Sequence, residues 1–402
     1  MGSADVRSAR PAGSAQEVFG ASLRLGLTSF GGPIAHLGYF RREYVERRRW
    51  LDDATFADLV ALCQLLPGPA STELGIAIGT RRAGVLGGMA SWIGFTLPSA
   101  LALVLFGFLT GSVDLSSSGW VHGLKLAAVA VVGQAVIAMA RTLSPDWRRR
   151  LLSLLAAGVA LAWTVPLAQV AIIAGGAVVG RFMLTGPMPP AGRSEPSPVS
   201  RRFGLACLLV FAGLLVGLPV LGSIVADTSV AFIDAFYRAG ALVFGGGHVV
   251  LPLLHATVAV PGWVTDDQFL AGYGAAQAVP GPLFAFAGYL GAVSATAQTG
   301  VFGAALALGA IFLPSFLLVF GALPFWDALR AAAGFRRALA GTSAAVVGLL
   351  LAALYTPVAT SAVAGPLDVV IVAAALGSLL TGRLPPIAIV VLCAVAGGLL
   401  GR

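Results

Sequence analysis

The chain has 402 residues, of which 58% are hydrophobic and only 10% are charged. Soluble domains carry about 25% charged residues. This composition, with a mean hydropathy of +0.91, therefore excludes a soluble globular protein and predicts an integral membrane protein. The net charge of +8 does not predict nucleic-acid binding. The arginines cluster at the ends of apolar segments, as they do in the cytoplasmic loops of inner-membrane proteins.

The apolar segments predict helices. Backbone inside a bilayer must satisfy its own hydrogen bonds, which leaves helices or a closed barrel. Apolar stretches of about 20 residues recur and strict alternation is absent, so helices are favoured. We predict an all-α, polytopic integral membrane protein. Residues 1–16 are polar and contain no apolar leader, so we expect no cleaved signal peptide.

Two stretches of the chain repeat each other. The pattern R-x-G-x-x-x-F-G-G ends at Gly32 and again at Gly246, a separation of about 214 residues. Four further matches follow in the same order, with separations between 213 and 216 residues. They are Trp50 with Phe56 and Trp263 with Phe269, Gln64–Pro69 and Gln277–Pro282, Leu97–Ser99 and Leu313–Ser315, and Ala130–Gly133 and Ala345–Gly348. This ordered series predicts an internal duplication.

Loop charges predict that the two halves have opposite orientations. The first half carries arginines between its motifs, at Arg41, Arg42, Arg47, Arg48, Arg49, Arg81 and Arg82. Residues 239–329 contain no Lys or Arg. Because basic loops stay in the cytoplasm, the second set of loops is expected outside. Inverted-topology repeats of this kind recur in secondary transporters, whose binding sites lie between the repeats.

The predicted organisation follows from these features. The segments are a polar N-terminal tail (1–16), a first transporter repeat (17–186), a cytoplasmic linker (187–202), a connecting transmembrane helix (203–227) and a second, inverted repeat (228–402). The connecting helix has no counterpart in the second half, and its extra crossing would invert that half. We expect broken or re-entrant helices within each repeat, at the Phe-Gly-Gly and Pro-Gly-Pro motifs.

The Pro-Gly-Pro motifs are predicted to create anion sites. Proline interrupts a helix, and the helix that follows begins with free N–H groups and a positive dipole end. Such a terminus binds anions without a side-chain charge. The alternative is a kink that only shapes packing. The predicted binding residues at the two breaks are Gln64, Pro67, Gly68, Pro69, Ser71, Thr72, Gln277, Pro280, Gly281 and Pro282.

The Phe-Gly-Gly motifs give a second set of candidates. Glycine pairs allow either close approach of backbone to a ligand or tight helix packing. These glycines are Gly31, Gly32, Gly245 and Gly246. His36 and His248 flank them, and the sequence leaves both a ligand role and a packing role open.

Arg24 and Arg238 each lie six residues before a Phe-Gly-Gly motif, inside an apolar segment. A charge in such a segment is costly and suggests function. Two guanidinium groups would balance a dianion and match the geometry of its oxygens. The alternative is that each arginine extends to the membrane surface.

Glu73 is the candidate for a coupling proton, with pairing to an arginine as the alternative. The second half has Phe286 at the matching position. The cysteines Cys63, Cys207 and Cys393 are far apart. With no nucleotide-binding motif or metal-ligand cluster, the sequence predicts no catalytic residues, no metal and no cofactor.

These motifs resemble the chromate ion transporter (CHR) family in its long, two-domain form. The likeness covers essentially the whole chain. It rests on Phe30-Gly-Gly-Pro33 with His36, the Trp50 segment, Leu66-Pro-Gly-Pro69 with Ser71, Phe95-Thr-Leu-Pro-Ser99, Phe244-Gly-Gly-Gly247-His248 and Val279-Pro-Gly-Pro282. Glu73 departs from the amide that the resemblance implies at its position, which leaves coupling and substrate range open.

The resemblance implies a multi-pass secondary transporter of the bacterial cytoplasmic membrane that exports chromate, with sulfate as a close analogue. The membrane potential favours export of an anion by about 2.3 kcal/mol per charge per 100 mV. Proton coupling stays open. The alternatives are a carrier for sulfate or another oxyanion, an anion channel, and a membrane-embedded enzyme or lipid-handling protein. An enzyme would need a nucleophile–base pair or a metal site, and the sequence offers neither. Membrane lipid is the expected surrounding, and a homodimer is an open oligomeric state.

Overall fold

The computed structural model describes residues 13–30, 32–110, 119–163, 166–184, 199–225, 227–243, 250–326, 328, 332–382 and 384–400. Every regular element in these ranges is helical. Five of the helices are long and apolar enough to cross a bilayer. The prediction of an all-α fold is therefore confirmed.

Two helices of the first half begin at polar caps, whose side chains accept from backbone N–H groups that lack an intrahelical partner. The Ser14 side chain accepts from the Glu17 N–H, and the Asp52 side chain accepts from the Thr55 N–H. The helices are α1 (Ala15–Thr28), α2 (Gly32–Phe40), α3 (Asp53–Leu65), α4 (Ala70–Thr110), α5 (Gly119–Leu143), α6 (Trp147–Ala162) and α7 (Pro166–Met183). A π-helical turn, Arg41–Arg47, continues α2.

A largely exposed helix, α8 (Arg201–Val225), leads into the second half, where it packs against α9 and α13. The second half then repeats the order of the first. Its helices are α9 (Thr228–Ala241), α10 (Val250–Leu254) with a π-helical turn (His255–Ala259), α11 (Asp266–Ala278), α12 (Phe286–Val293), α13 (Gly300–Ala322), α14 (Ala333–Ala353), α15 (Pro366–Thr381) and α16 (Pro386–Leu400).

Helix α4 is a hairpin of two limbs. Ala83 and Gly84 leave helical dihedrals, and Gly84 adopts φ 67°, a region that suits glycine. The chain reverses there, so Gly79 of the first limb lies against the Gly87 carbonyl of the second. In the second half α12 and α13 form the matching hairpin, and Gly291 lies against the Gly303 carbonyl. Each of these hairpins follows a Pro-Gly-Pro break, and each break lies against the other half of the chain.

One helix of each half packs against an outer helix of the other half. Helix α5 packs against α16, where Gly123 lies on the Cys393 backbone, and α14 packs against α7, where Gly341 lies on the Gly176 backbone. Glycine permits this close approach of backbones in membrane helices. Helices α5 and α14 carry the repeated Ala-Val-Val-Gly motif, so the exchange is reciprocal. The two halves therefore form one interlocked body.

Candidate functional site

The two Pro-Gly-Pro motifs end one helix and begin another. The first break, Leu66–Pro69, separates α3 from α4, and the second, Val279–Pro282, separates α11 from the short turn that precedes α12. Gly68 has φ +145° and Gly281 has φ +102°. L side chains rarely adopt these values, which explains a glycine between the prolines.

Each break is hydrogen-bonded to the other half of the chain. The Gly68 N–H donates to the Val243 carbonyl oxygen at 2.6 Å, and the Gly281 N–H donates to the Ser29 carbonyl oxygen at 3.0 Å. Ser29 and Val243 are themselves matching positions, each directly before a Phe-Gly-Gly motif. Each half therefore donates one of these bonds and accepts the other, as expected for contacts across a two-fold axis.

These two bonds identify which donors are free to meet a ligand. The N–H groups of Gly68 and Gly281 already bind carbonyl oxygens. The first N–H groups of an α-helix have no intrahelical acceptor. At the first break, the backbone donors left for a ligand are therefore those at the start of α4, from Ala70 to Thr72, because the Glu73 N–H already donates to the Pro69 carbonyl oxygen. This turn also carries the side chains of Ser71 and Thr72.

Serines of the Leu-Pro-Ser motifs complete the contacts between halves. A Cβ on Gly68 would lie 3.1 Å from Ser315 Oγ, and a Cβ on Gly281 would lie 2.9 Å from Ser99 Oγ. Each break thus faces the serine that belongs to the opposite half. The repeat of Leu-Pro-Ser was visible in the sequence, but its spacing did not show that Ser99 and Ser315 approach the breaks.

Several buried polar atoms around the breaks have no hydrogen-bond partner among the described residues. They are Ser29 Oγ, Thr72 Oγ1, Ser315 Oγ, Gln277 Nε2 and both carboxyl oxygens of Glu73. Buried polar groups in folded proteins are almost always satisfied, so such a group indicates a place for water, an ion or a ligand. All but the carboxyl are hydrogen-bond donors suited to an oxyanion.

His36 supports the first break. Its Nε2 lies 3.2 Å from the Ser29 carbonyl oxygen and its Nδ1 lies 3.2 Å from Ser71 Oγ. Since a carbonyl oxygen can only accept, Nε2 carries the proton and Nδ1 accepts from the Ser71 hydroxyl. The ring also meets Phe95 edge-on. His36 therefore holds Ser29 and Ser71 in place around the break.

The remaining candidate binding residues differ in exposure and in their contacts. Arg24 and Gln64 are exposed, and Gly32 begins α2 with φ +78°. Arg238 forms an ion pair with Asp234 at 2.5 Å on the same helix, a partner that the sequence analysis missed. An acid four residues before an arginine is a recognisable helical pair. Gly31, Gly245, Gly246 and His248 lie outside the described residues.

Comparison with known proteins identifies the family. A family model described as Chromate transporter matches residues 16–181 and 230–398, one segment in each half. The chain belongs to the chromate transporter family. The predicted resemblance to its long, two-domain form is confirmed, and so is the prediction of a transporter and not an enzyme.

Full-length relatives carry the same description. The chain is 28% identical over 366 residues to a chromate transport protein of Pseudomonas aeruginosa, covering 86% of this chain and 82% of the relative. It is also 28% identical over 345 residues to one of Cupriavidus metallidurans, covering 83% and 80%. A probable chromate transport protein of Synechococcus elongatus is 29% identical over 321 residues, covering 79% and 77%. No solved structure shows a significant match.

Proposed function

We propose that the chain is a secondary transporter that exports chromate across the bacterial cytoplasmic membrane, driven by the membrane potential. The observation that carries the proposal is the cluster of unpartnered buried donors between two helix breaks that contact each other's halves. Ser29, Thr72 and Ser315 offer hydroxyl groups, and Gln277 offers an amide. On entering this site, an oxyanion exchanges its hydrogen bonds to water for hydrogen bonds to these protein donors. The site therefore requires no buried cation.

The energetics favour export. A dianion that leaves a negative-inside cell gains about 4.6 kcal/mol at 100 mV, enough for a gradient above a thousandfold. The family supports chromate as the substrate, and sulfate shares its tetrahedral shape and charge. A carrier for sulfate or another oxyanion is therefore the second candidate. An anion channel is the third, and it would show flux that does not saturate and no counterflow.

An inverted arrangement of the halves is part of the proposal. The exchanged bonds from Gly68 and Gly281 support a two-fold relationship. The absence of Lys and Arg from residues 239–329 supports opposite orientations. Under this arrangement α8 is the connecting helix, and each Pro-Gly-Pro hairpin is re-entrant and meets the other near the middle of the membrane. Helix α8 spans Arg201–Val225, whereas the connecting helix is predicted from the sequence at 203–227.

The test is uptake of radiolabelled chromate into everted membrane vesicles, which reports export from the cell. Vesicles with the protein should take up chromate in a saturable way when the interior is made positive. Unlabelled sulfate and molybdate then rank the competing oxyanions. Stronger competition by sulfate than by unlabelled chromate would make sulfate the substrate. Uptake equal to that of vesicles lacking the protein would exclude chromate as a substrate, whether of a carrier or of a channel.

A further inference from the structure

We propose that Glu73 binds one proton that crosses the membrane together with the oxyanion, an inference that rests on the proposed function. Glu73 lies in the first turn of α4, four residues after Pro69. Its side chain is fully buried, with 0% exposure. The carboxyl group lies directly against Gly68, so that a Cβ at that glycine would overlap Oε1. The Glu73 carboxyl therefore touches the break itself.

The groups that face Glu73 do not neutralise it. Neither carboxyl oxygen has a hydrogen-bond partner in the described part of the chain. The Ser315 hydroxyl of α13 lies within interaction range of the carboxyl but outside standard hydrogen-bond geometry, and the Cys63 thiol of α3 also faces the carboxyl. His36 of α2 is bonded to Ser29 and Ser71 instead. Within the described residues, no Lys or Arg forms an ion pair with Glu73, in contrast to the Arg238–Asp234 pair.

An ionised carboxyl and an oxyanion would repel each other at this site. A ligand held by the N–H groups of α4 and by the Thr72 and Ser315 hydroxyls lies within a few ångströms of Glu73, in surroundings that screen charge poorly. With a proton, the same carboxyl becomes an O–H donor and adds a hydrogen bond to the anion. The anion-loaded site therefore holds the proton, and proton and anion bind together.

The asymmetry of the halves limits the number of protons to one. The matching position in the second half is Phe286, which is also buried. At the second break the facing groups are Ser99 Oγ and the Phe95 carbonyl oxygen. One dianion and one proton then carry a single net negative charge outward. The membrane potential still drives export, and an alkaline cytoplasm opposes it.

The experiment measures the potential that stops net chromate flux in proteoliposomes of the full chain, at set chromate and pH gradients. Cotransport of one proton predicts that about 59 mV balances a tenfold chromate gradient, and that one pH unit shifts this potential by a further 59 mV or so. A dianion alone would be balanced at about 30 mV per tenfold gradient, without any effect of pH. The second result for the wild-type protein would overturn the proposal.

Variants assign the proton to the residue. Glu73→Gln should move the balance to about 30 mV per tenfold gradient and remove the pH shift, while Glu73→Asp should keep the wild-type balance. Glu46→Gln, at an exposed acid paired with Arg41, is the matched control. The balance potential is the readout because it does not depend on transport rate. A Glu73→Gln protein that still balances at about 59 mV would show that the proton travels on the oxyanion and would overturn the assignment.

The outcomes separate this inference from the proposed function. If the chain does not carry chromate, wild-type proteoliposomes show no saturable flux above empty liposomes. If it carries chromate without a proton at Glu73, flux is present and only the balance potential departs from expectation. If Glu73→Gln does not fold, the wild-type potential and its pH shift still decide whether a proton moves.

Discussion

The Gly281 N–H and the Ser29 carbonyl oxygen are 3.0 Å apart and join the second break to the first half of the chain. His36 Nε2 approaches the same oxygen at 3.2 Å. One carbonyl group therefore accepts from both halves. The matching bond, from Gly68 to Val243, measures 2.6 Å. Any movement that separates the halves at one break must exchange these backbone bonds for others, because buried backbone groups stay paired.

The glycines of the two breaks should not tolerate a side chain. Gly281→Ala places a Cβ 2.9 Å from Ser99 Oγ and 3.2 Å from the Phe95 carbonyl oxygen, at φ +102°. Gly68→Ala makes a Cβ overlap the Glu73 carboxyl. The positive φ alone costs about 1–2 kcal/mol for a residue with a Cβ. We expect chromate uptake by either variant to fall at least tenfold, measured in everted vesicles at equal protein content.

Gly213→Ala is the matched control for these glycines. Gly213 lies on α8, and a Cβ there would meet nothing within 4 Å. Its uptake should equal that of the wild type. Normal uptake by both break variants would mean that the breaks neither approach the anion closely nor need their present backbone conformation.

Ser315 and Ser99 provide a matched pair of hydroxyl deletions. Among the described residues the buried Ser315 hydroxyl forms no hydrogen bond of standard geometry, whereas the Ser99 hydroxyl donates to the Thr96 carbonyl oxygen at 3.0 Å. Ser315→Ala removes only a contact with the Glu73 carboxyl that falls outside standard hydrogen-bond geometry, so we expect little change in thermal stability. If the hydroxyl binds the anion, its loss costs about 1 kcal/mol, and the chromate concentration at half-maximal uptake should rise about fivefold.

Ser99→Ala should change half-maximal uptake less, because its hydroxyl is already engaged within its own helix. Melting temperatures in detergent serve as the stability readout for both variants. A Ser315→Ala protein with wild-type chromate affinity would place the anion away from the first break.

The sequence predicted the features that depend on local chemistry. The helix breaks follow from Pro-Gly-Pro, and the two halves follow from matches at one nearly constant separation. The contacts between the two halves could not be predicted from the sequence, because nothing in the spacing shows that Gly68 meets Val243 or that α5 packs on α16. The same limit explains why Ser315 was not recognised as a neighbour of Glu73.

Asp234 and Arg238 should behave as one unit. The Asp234 side chain is 8% exposed and the Arg238 side chain 33% exposed. Arg238→Ala leaves a nearly buried carboxylate without its cation, and partial exposure limits the cost to about 1–3 kcal/mol. We expect a lower melting temperature in detergent, and we expect Asp234→Asn in the same protein to recover most of the loss.

Arg24→Ala is the contrasting variant, because Arg24 is exposed and its loss should not change the melting temperature. The hypothesis drawn from the sequence, that both arginines bind the dianion, predicts that chromate uptake by Arg24→Ala falls in spite of normal stability. Normal uptake would leave Arg24 as a residue that extends to the membrane surface.

Asp53 and Asp266 test the inverted arrangement. Each is the first residue of the helix before a Pro-Gly-Pro break, and each contacts the start of a π-helical turn. Asp53 forms an ion pair with Arg41, and Asp266 lies within hydrogen-bond distance of His255 Nε2. Their side chains are 66% and 56% exposed. Replacing either by cysteine breaks only a solvent-exposed pair, which costs at most about 1 kcal/mol. The native cysteines Cys63, Cys207 and Cys393 are buried and should give little background.

The measurement is labelling by a membrane-impermeant maleimide in intact cells and in everted vesicles. The arginine-rich loops place Asp53 in the cytoplasm under the positive-inside rule. Asp53→Cys should therefore react only in everted vesicles. Asp266→Cys belongs to the segment without Lys or Arg and should react only in intact cells. Chromate uptake by each variant confirms that the labelled protein is folded. Reaction of both cysteines from the same side of the membrane would show that the two halves have the same orientation. The two-fold axis that relates the bonds at the two breaks would then lie along the membrane normal.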